Sequence, residues 1–172
     1  MIFCRRIDDW ERRVVIGLVA SGGFTATELM VTIAIAGVLA MIAAPNLMDM
    51  KASQVLNAAA RDIHSSFQMA RMTAIKECCN VRVVFSTESN GSYVIFRDTD
   101  NDGAQDTDEP VIRSRHFEKP LSLSYIHFSS NDAACLNSRG FASASYGHVV
   151  VKHENEKTKK ITLAPSGYSH IN

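Results

Sequence analysis

Twelve consecutive residues hold the densest set of chemistry-bearing side chains in this 172-residue chain. From Asp98 to Glu109 the sequence reads DTDNDGAQDTDE, with Asp98, Asp100, Asp102, Asp106 and Glu109 at the first, third, fifth, ninth and twelfth places. Gly103 at the sixth place makes a sharp turn and the carbonyl of Ala104 falls at the seventh, which is the ligand spacing of an EF-hand calcium loop. The flanks read as strands rather than helices, and Gln105 stands where an apolar residue is usual. Asp, Asn and Gly are also the ordinary residues of a solvated hairpin tip. Six carboxylates within twelve residues repel one another, and a divalent cation relieves that repulsion. A structural Ca2+ is therefore a candidate ligand, and no cofactor is expected to be required.

The remaining reactive residues do not converge. His64, His116, His127, His148, His153 and His170 are scattered, and no HExxH, GxSxG or glycine-rich phosphate loop occurs. No catalytic centre is nominated, so the chain reads as a non-enzyme. Its 18 basic and 18 acidic residues balance, which excludes a general phosphate-binding surface. The one basic cluster, Lys152 to Lys160, is diluted by Glu154 and Glu156 and reads as a solvated hairpin, so nucleic acid is an unlikely partner.

A separate acid of interest is Glu28, standing alone before a run from Leu29 to Met48 that holds no charge. Twenty residues of helix span about 30 Å, the thickness of a bilayer's hydrocarbon core. Thr25-Ala26-Thr27-Glu28 has the spacing of a capping box, in which threonine and glutamate satisfy each other's backbone donors at a helix start. Before it, Arg5, Arg6, Arg12 and Arg13 precede a short apolar patch, Val14–Ala20. A secretory signal cut near Ser21 or Gly22 fits this poorly, because Asp8, Asp9 and Glu11 break the basic region and the longer apolar run would remain.

Behind Pro45, which should bend the helix rather than end it, Ala52, Val55, Leu56, Ala59, Ile63, Phe67, Ala70 and Ala74 recur at three- and four-residue steps. An amphipathic helix to about Cys78 follows. From there the period changes to two: 81–86, 92–97, 111–116, 121–128, 148–152 and 159–164 read as strands between glycine-rich turns. The expected fold is α+β, a long N-terminal helix, half membrane-spanning and half amphipathic, packed on an antiparallel β-sheet head.

Gly23-Phe24-Thr25-x-x-Glu28-Leu29, with the apolar helix and Pro45 behind it, closely resembles the N-terminus of type IV pilins and pseudopilins. The runs MARMTAIKECCNVRVVF, YVIFRDTDNDGAQDTDEPVIR and SRGF are similar to the GspH/FimT group of minor pilins and pseudopilins. The resemblance implies a precursor cut by a prepilin peptidase between Gly23 and Phe24, with Phe24 methylated. It implies that Glu28 meets the amino terminus of a neighbouring subunit during assembly, and that the partners are other pilins or pseudopilins and, before assembly, inner-membrane lipid. The expected segments are a leader (1–23), a transmembrane or filament-core helix (24–48), an amphipathic helix (49–79) and a β-rich head (80–172). The head is expected in the periplasm, on a single-pass protein of the inner membrane that passes into a type IV pilus or a type II secretion pseudopilus, at or near its tip. The alternative is a DNA-binding minor pilin acting in DNA uptake. Removal of the leader takes Cys4, leaving Cys78, Cys79 and Cys135. In an oxidising compartment Cys135 can pair with Cys78 or Cys79, a closure for which the chain-entropy model gives about 4 kcal/mol.

Overall fold

The structure, a computed structural model, describes residues 23–129, 133–142 and 145–172. Residues 1–22, all but the last of the expected leader 1–23, and the side chain of Pro45 lie outside the described residues. One helix, α1, runs from Ala26 to Glu77, through position 45. It stops where the apolar period stops: Cys78 takes φ 53°, the left-handed conformation that commonly closes a helix. The chain divides into two units, Met1–Ile42 and Ala43–Asn172. In the first, every described residue is exposed, including Leu29, Ile33, Ile35, Val38 and Leu39.

The second unit holds the rest of α1 and eight strands. These are β1 (Asn80–Ser86), β2 (Ser92–Asp98), β3 (Val111–His116), β4 (Leu121–Phe128), β5 (Ala133–Leu136), β6 (Gly147–His153), β7 (Thr158–Leu163) and β8 (Ser169–Ile171). The six strands expected from alternation are all present, within a residue of the expected ends. The two without alternation, β5 and β8, are four and three residues long, and only their pairing defines them. The single expected sheet is corrected to two, each antiparallel and four-stranded, in the orders β3-β2-β1-β5 and β4-β6-β7-β8. The chain changes sheet between β3 and β4, because β4 takes β6 as its neighbour rather than β3.

One core joins helix and sheets. The α1 stripe predicted by spacing is buried at Ala52, Leu56, Ala59, Ile63, Phe67, Ala70 and Ala74, and its four alanines leave room for the strands. Against it lie Val81, Val83, Phe85, Tyr93 and Ile95 from the first sheet and Leu123, Phe128, Val149, Val151, Ile161 and Leu163 from the second. Phe67 bridges the two, its ring centroid 5.8 Å from that of Phe85 and 6.3 Å from that of Phe128. Phe85 and Phe128 stack at 5.5 Å. At such spacings aromatic pairs contribute about 0.5–1.5 kcal/mol each beyond the area they bury.

Candidate functional site

The start of α1 is closed as its spacing predicts. Thr25 N–H donates to Glu28 Oε2 at 3.0 Å, and Glu28 N–H donates to Thr25 Oγ1 at 3.2 Å. Both are members of a capping box, which satisfies donors that a helix start leaves free. Behind Glu28, residues 29–44 carry no charge and every one of them is exposed. A helix packed into a soluble core would bury at least one stripe. Among the described residues α1 alone is long and apolar enough to cross a membrane. Gly23 and Phe24 precede the helix, and Phe24 is exposed.

The acidic segment connects β2 to β3 and lies against the outer face of the first sheet. β2 places Tyr93 and Ile95 toward the core, while Phe96 and Asp98, opposite Arg82 and Asn80 on β1, face the other way yet are only 1% exposed. Arg82 is the residue that sequence reasoning missed. Its Nε donates to Asp98 Oδ2, and a Cβ at Gly103 would stand 2.7 Å from its guanidinium carbon. Gly103 has φ +87°, so the sixth place needs glycine both for its backbone and for the guanidinium beneath it. The signal for Arg82 in the sequence is faint: it is one charged residue in the alternating run of β1, sixteen positions before its partner.

The structure gathers three of the six expected oxygen donors. Asp98, Asp100 and Asp102 each offer a carboxylate oxygen, all within 4.8 Å of one another. Glu109 is occupied otherwise: buried, it accepts Thr99 N–H at 2.7 Å and Asp106 N–H at 3.5 Å, pinning the two ends of the connection together. Asp102 Oδ1 accepts Ala104 N–H at 2.7 Å, and Asp100 Oδ1 accepts Asp102 N–H at 3.1 Å. Repulsion is visible on Asp106, whose carboxyl is held above its usual range, chiefly by the Asp102 charge and then by desolvation, Asp100, Asp108 and Glu109. The buried Asp98 Oδ1 has no hydrogen-bond partner among the described residues. Leaving such an oxygen unpaired costs about 1–3 kcal/mol, more when it is charged.

The thiols are not brought together. Cys78, Cys79 and Cys135 are free, so the expected pairing of Cys135 with Cys78 or Cys79 is absent from this structure. Register explains it: Cys135 lies opposite Arg82, three residues past Cys79, about 10 Å along a strand and beyond the reach of a disulfide. The faces differ as well, since Cys79 packs on the core while Cys135 shares the outer face with Arg82. Desolvation raises the thiol pKa of both. In the basic cluster Lys157 is occupied too, its Nζ 3.2 Å from Asp49 Oδ1 and 3.2 Å from Ser53 Oγ.

A family model described as type II transport protein GspH matches residues 59–167, from the second half of α1 through β7. The chain belongs to the GspH family. That is a family of structural pseudopilins rather than enzymes, and membership makes this chain a pseudopilin or minor pilin of the type II secretion kind, one that assembles with other pseudopilins. The α+β architecture, a long N-terminal helix on antiparallel sheets, is that of a pilin-like subunit. Neither a search of curated proteins nor one of solved structures finds a match.

Proposed function

We propose that this pseudopilin is made as an inner-membrane precursor, cut between Gly23 and Phe24 by a prepilin peptidase and methylated at Phe24. It then joins a pseudopilus or pilus at or near the tip. Residues 24–48 form the membrane-spanning and later filament-core part of α1, residues 49–79 the part that packs on the head, and residues 80–172 the periplasmic head. The observation that carries this reading is the uncharged, wholly exposed run 29–44 directly behind Glu28, in a chain of the GspH family. An apolar helix with no protein partner requires lipid or other helices around it. The cleavage position and the tip placement rest on the resemblance of Gly23-Phe24-Thr25-x-x-Glu28 and of the head to minor pilins.

Glu28 then has two successive tasks. In the lone chain its carboxylate caps α1. In apolar surroundings a lone charge costs on the order of 2.5–3.5 kcal/mol at mid-membrane on insertion scales. The free amine of a neighbouring, cleaved subunit supplies the opposite charge and makes joining the filament the favourable escape. Replacing Glu28 by Gln tests this, because glutamine still completes a capping box while removing the charge. The expected result is normal membrane insertion with reduced incorporation into filaments. Full incorporation would refute the assembly role, and N-terminal sequencing of the cellular protein that began anywhere but Phe24 would refute the cleavage.

A further inference from the structure

We propose that Asp98, Asp100 and Asp102 form a calcium site where the connection leaves β2, with the buried Oδ1 of Asp98 as its inner ligand. Two independent observations meet here. The three carboxylates each present an oxygen within 4.8 Å of the others. Oxygens bound to one Ca2+ at about 2.3–2.6 Å lie no more than about 5 Å apart, so the group fits one coordination sphere. The second is the state of Asp98. Its side chain is fully buried, Arg82 takes Oδ2, and Oδ1 is left with no donor among the described residues. A buried carboxylate oxygen without a donor is the group that a cation satisfies.

Arg82 argues for the site rather than against it. Its guanidinium engages one of the two Asp98 oxygens and packs under Gly103, which orients the carboxylate and holds the other oxygen fixed. Of the six carboxylates between 98 and 109, Arg82 pairs with Asp98, so much of the negative charge is still uncompensated. The donors are all oxygen, the preference of a hard cation, with no thiol or imidazole in the group to favour zinc. Calcium suits the group better than magnesium, which demands near-ideal octahedral geometry and shorter bonds. Glu109, bound to Thr99 and Asp106 backbone donors, closes the connection instead of ligating. The site thus uses the first three acidic places of the calcium-loop spacing and a different scaffold, two strands in place of two helices. It does not depend on the filament reading, since the ligands lie within one connection of the head.

The test uses the full chain in detergent micelles, stripped with EDTA and exchanged into chelator-free buffer. Calcium chloride at about 100-fold over the dissociation constant raises the melting temperature by roughly 5–10 °C for a chain of this size. Magnesium chloride at equal concentration raises it less. Asp102→Asn keeps the acceptor that Ala104 N–H uses, so the calcium-free protein melts as wild type, yet the calcium shift shrinks because the amide oxygen ligates without a charge. Asp98→Asn also shrinks the shift. No shift up to about 10 mM calcium, above the range of the weakest calcium modules, overturns the proposal. So does an equal shift in Asp102→Asn, or one matched by magnesium.

Discussion

The phenol of Tyr93 donates to Asp62 Oδ2 at 2.6 Å, and the other oxygen of that carboxylate accepts Arg113 at 2.6 Å and Arg115 at 3.0 Å. One acid on α1 thereby ties the helix to β2 and β3, and Ser66 hydroxyl lies 2.8 Å from the same phenol. Burial, with the Asp62 hydrogen bond next, pushes the Tyr93 pKa up to about 12. Because the folded value exceeds the ordinary 10, the protonated phenol stabilises the fold fully below pH 10, and that contribution is lost as pH rises toward 12.

Tyr93→Phe removes this knot while keeping the ring. The expected cost at neutral pH is about 1.5–3 kcal/mol, the range for a hydrogen bond to a charged group, read by denaturant unfolding. Between pH 10 and 12 the wild type loses stability faster than the variant, so the two curves converge. Parallel curves across that window would contradict the buried phenol as the titrating group.

Phe67 should be the most sensitive single core position on α1. Its ring meets both Phe85 and Phe128, and it is wholly buried. Phe67→Ala leaves a cavity at the place where the two sheets meet the helix, at an expected cost of about 3–5 kcal/mol. Val55→Ala, at a half-buried position about three turns earlier on α1, should cost much less. Equal midpoints in urea for the two variants would mean that the core is not organised around Phe67.

Thr25→Ala separates capping from charge. It deletes the side chain that accepts Glu28 N–H, with an expected cost of about 0.5–2 kcal/mol to the helix start, but it leaves the carboxylate in place. Filament incorporation should survive in Thr25→Ala and fall in Glu28→Gln. The reverse order, measured by pull-down of co-assembled subunits, would assign the capping box rather than the charge to assembly.

Thiol labelling should follow exposure. Cys78 is exposed, Cys79 and Cys135 are half-buried, and burial raises the pKa of the latter two. A thiolate-selective reagent at pH 8 should modify Cys78 first and the other two slowly, since the thiolate is the reactive form. Cys78→Ser should remove the fast phase. In the chain that begins at Phe24, and so lacks Cys4, absence of any fast phase together with one thiol after denaturation would show a disulfide among these cysteines in solution.

Much of the architecture is written in local signals. The uncharged run from Leu29, the three- and four-residue spacing from Ala52 to Ala74 and the alternation in six strands each depend on near neighbours, so helix and strands are readable one segment at a time. The capping residues Thr25 and Glu28 are three apart and equally legible. Tertiary structure decided what pairing alone can decide. It divided the strands between two sheets, recruited Ala133–Leu136 and Ser169–Ile171 as strands, and set Cys135 opposite Arg82 rather than beside Cys79. It also selected Asp98, Asp100 and Asp102 from a longer row of acids, by burying Asp98 against an arginine sixteen residues earlier and turning Glu109 onto Thr99. The reason is physical: periodicity records which face of a segment is apolar, whereas register, burial of a single carboxylate and its remaining free oxygen arise only when distant segments are brought into contact.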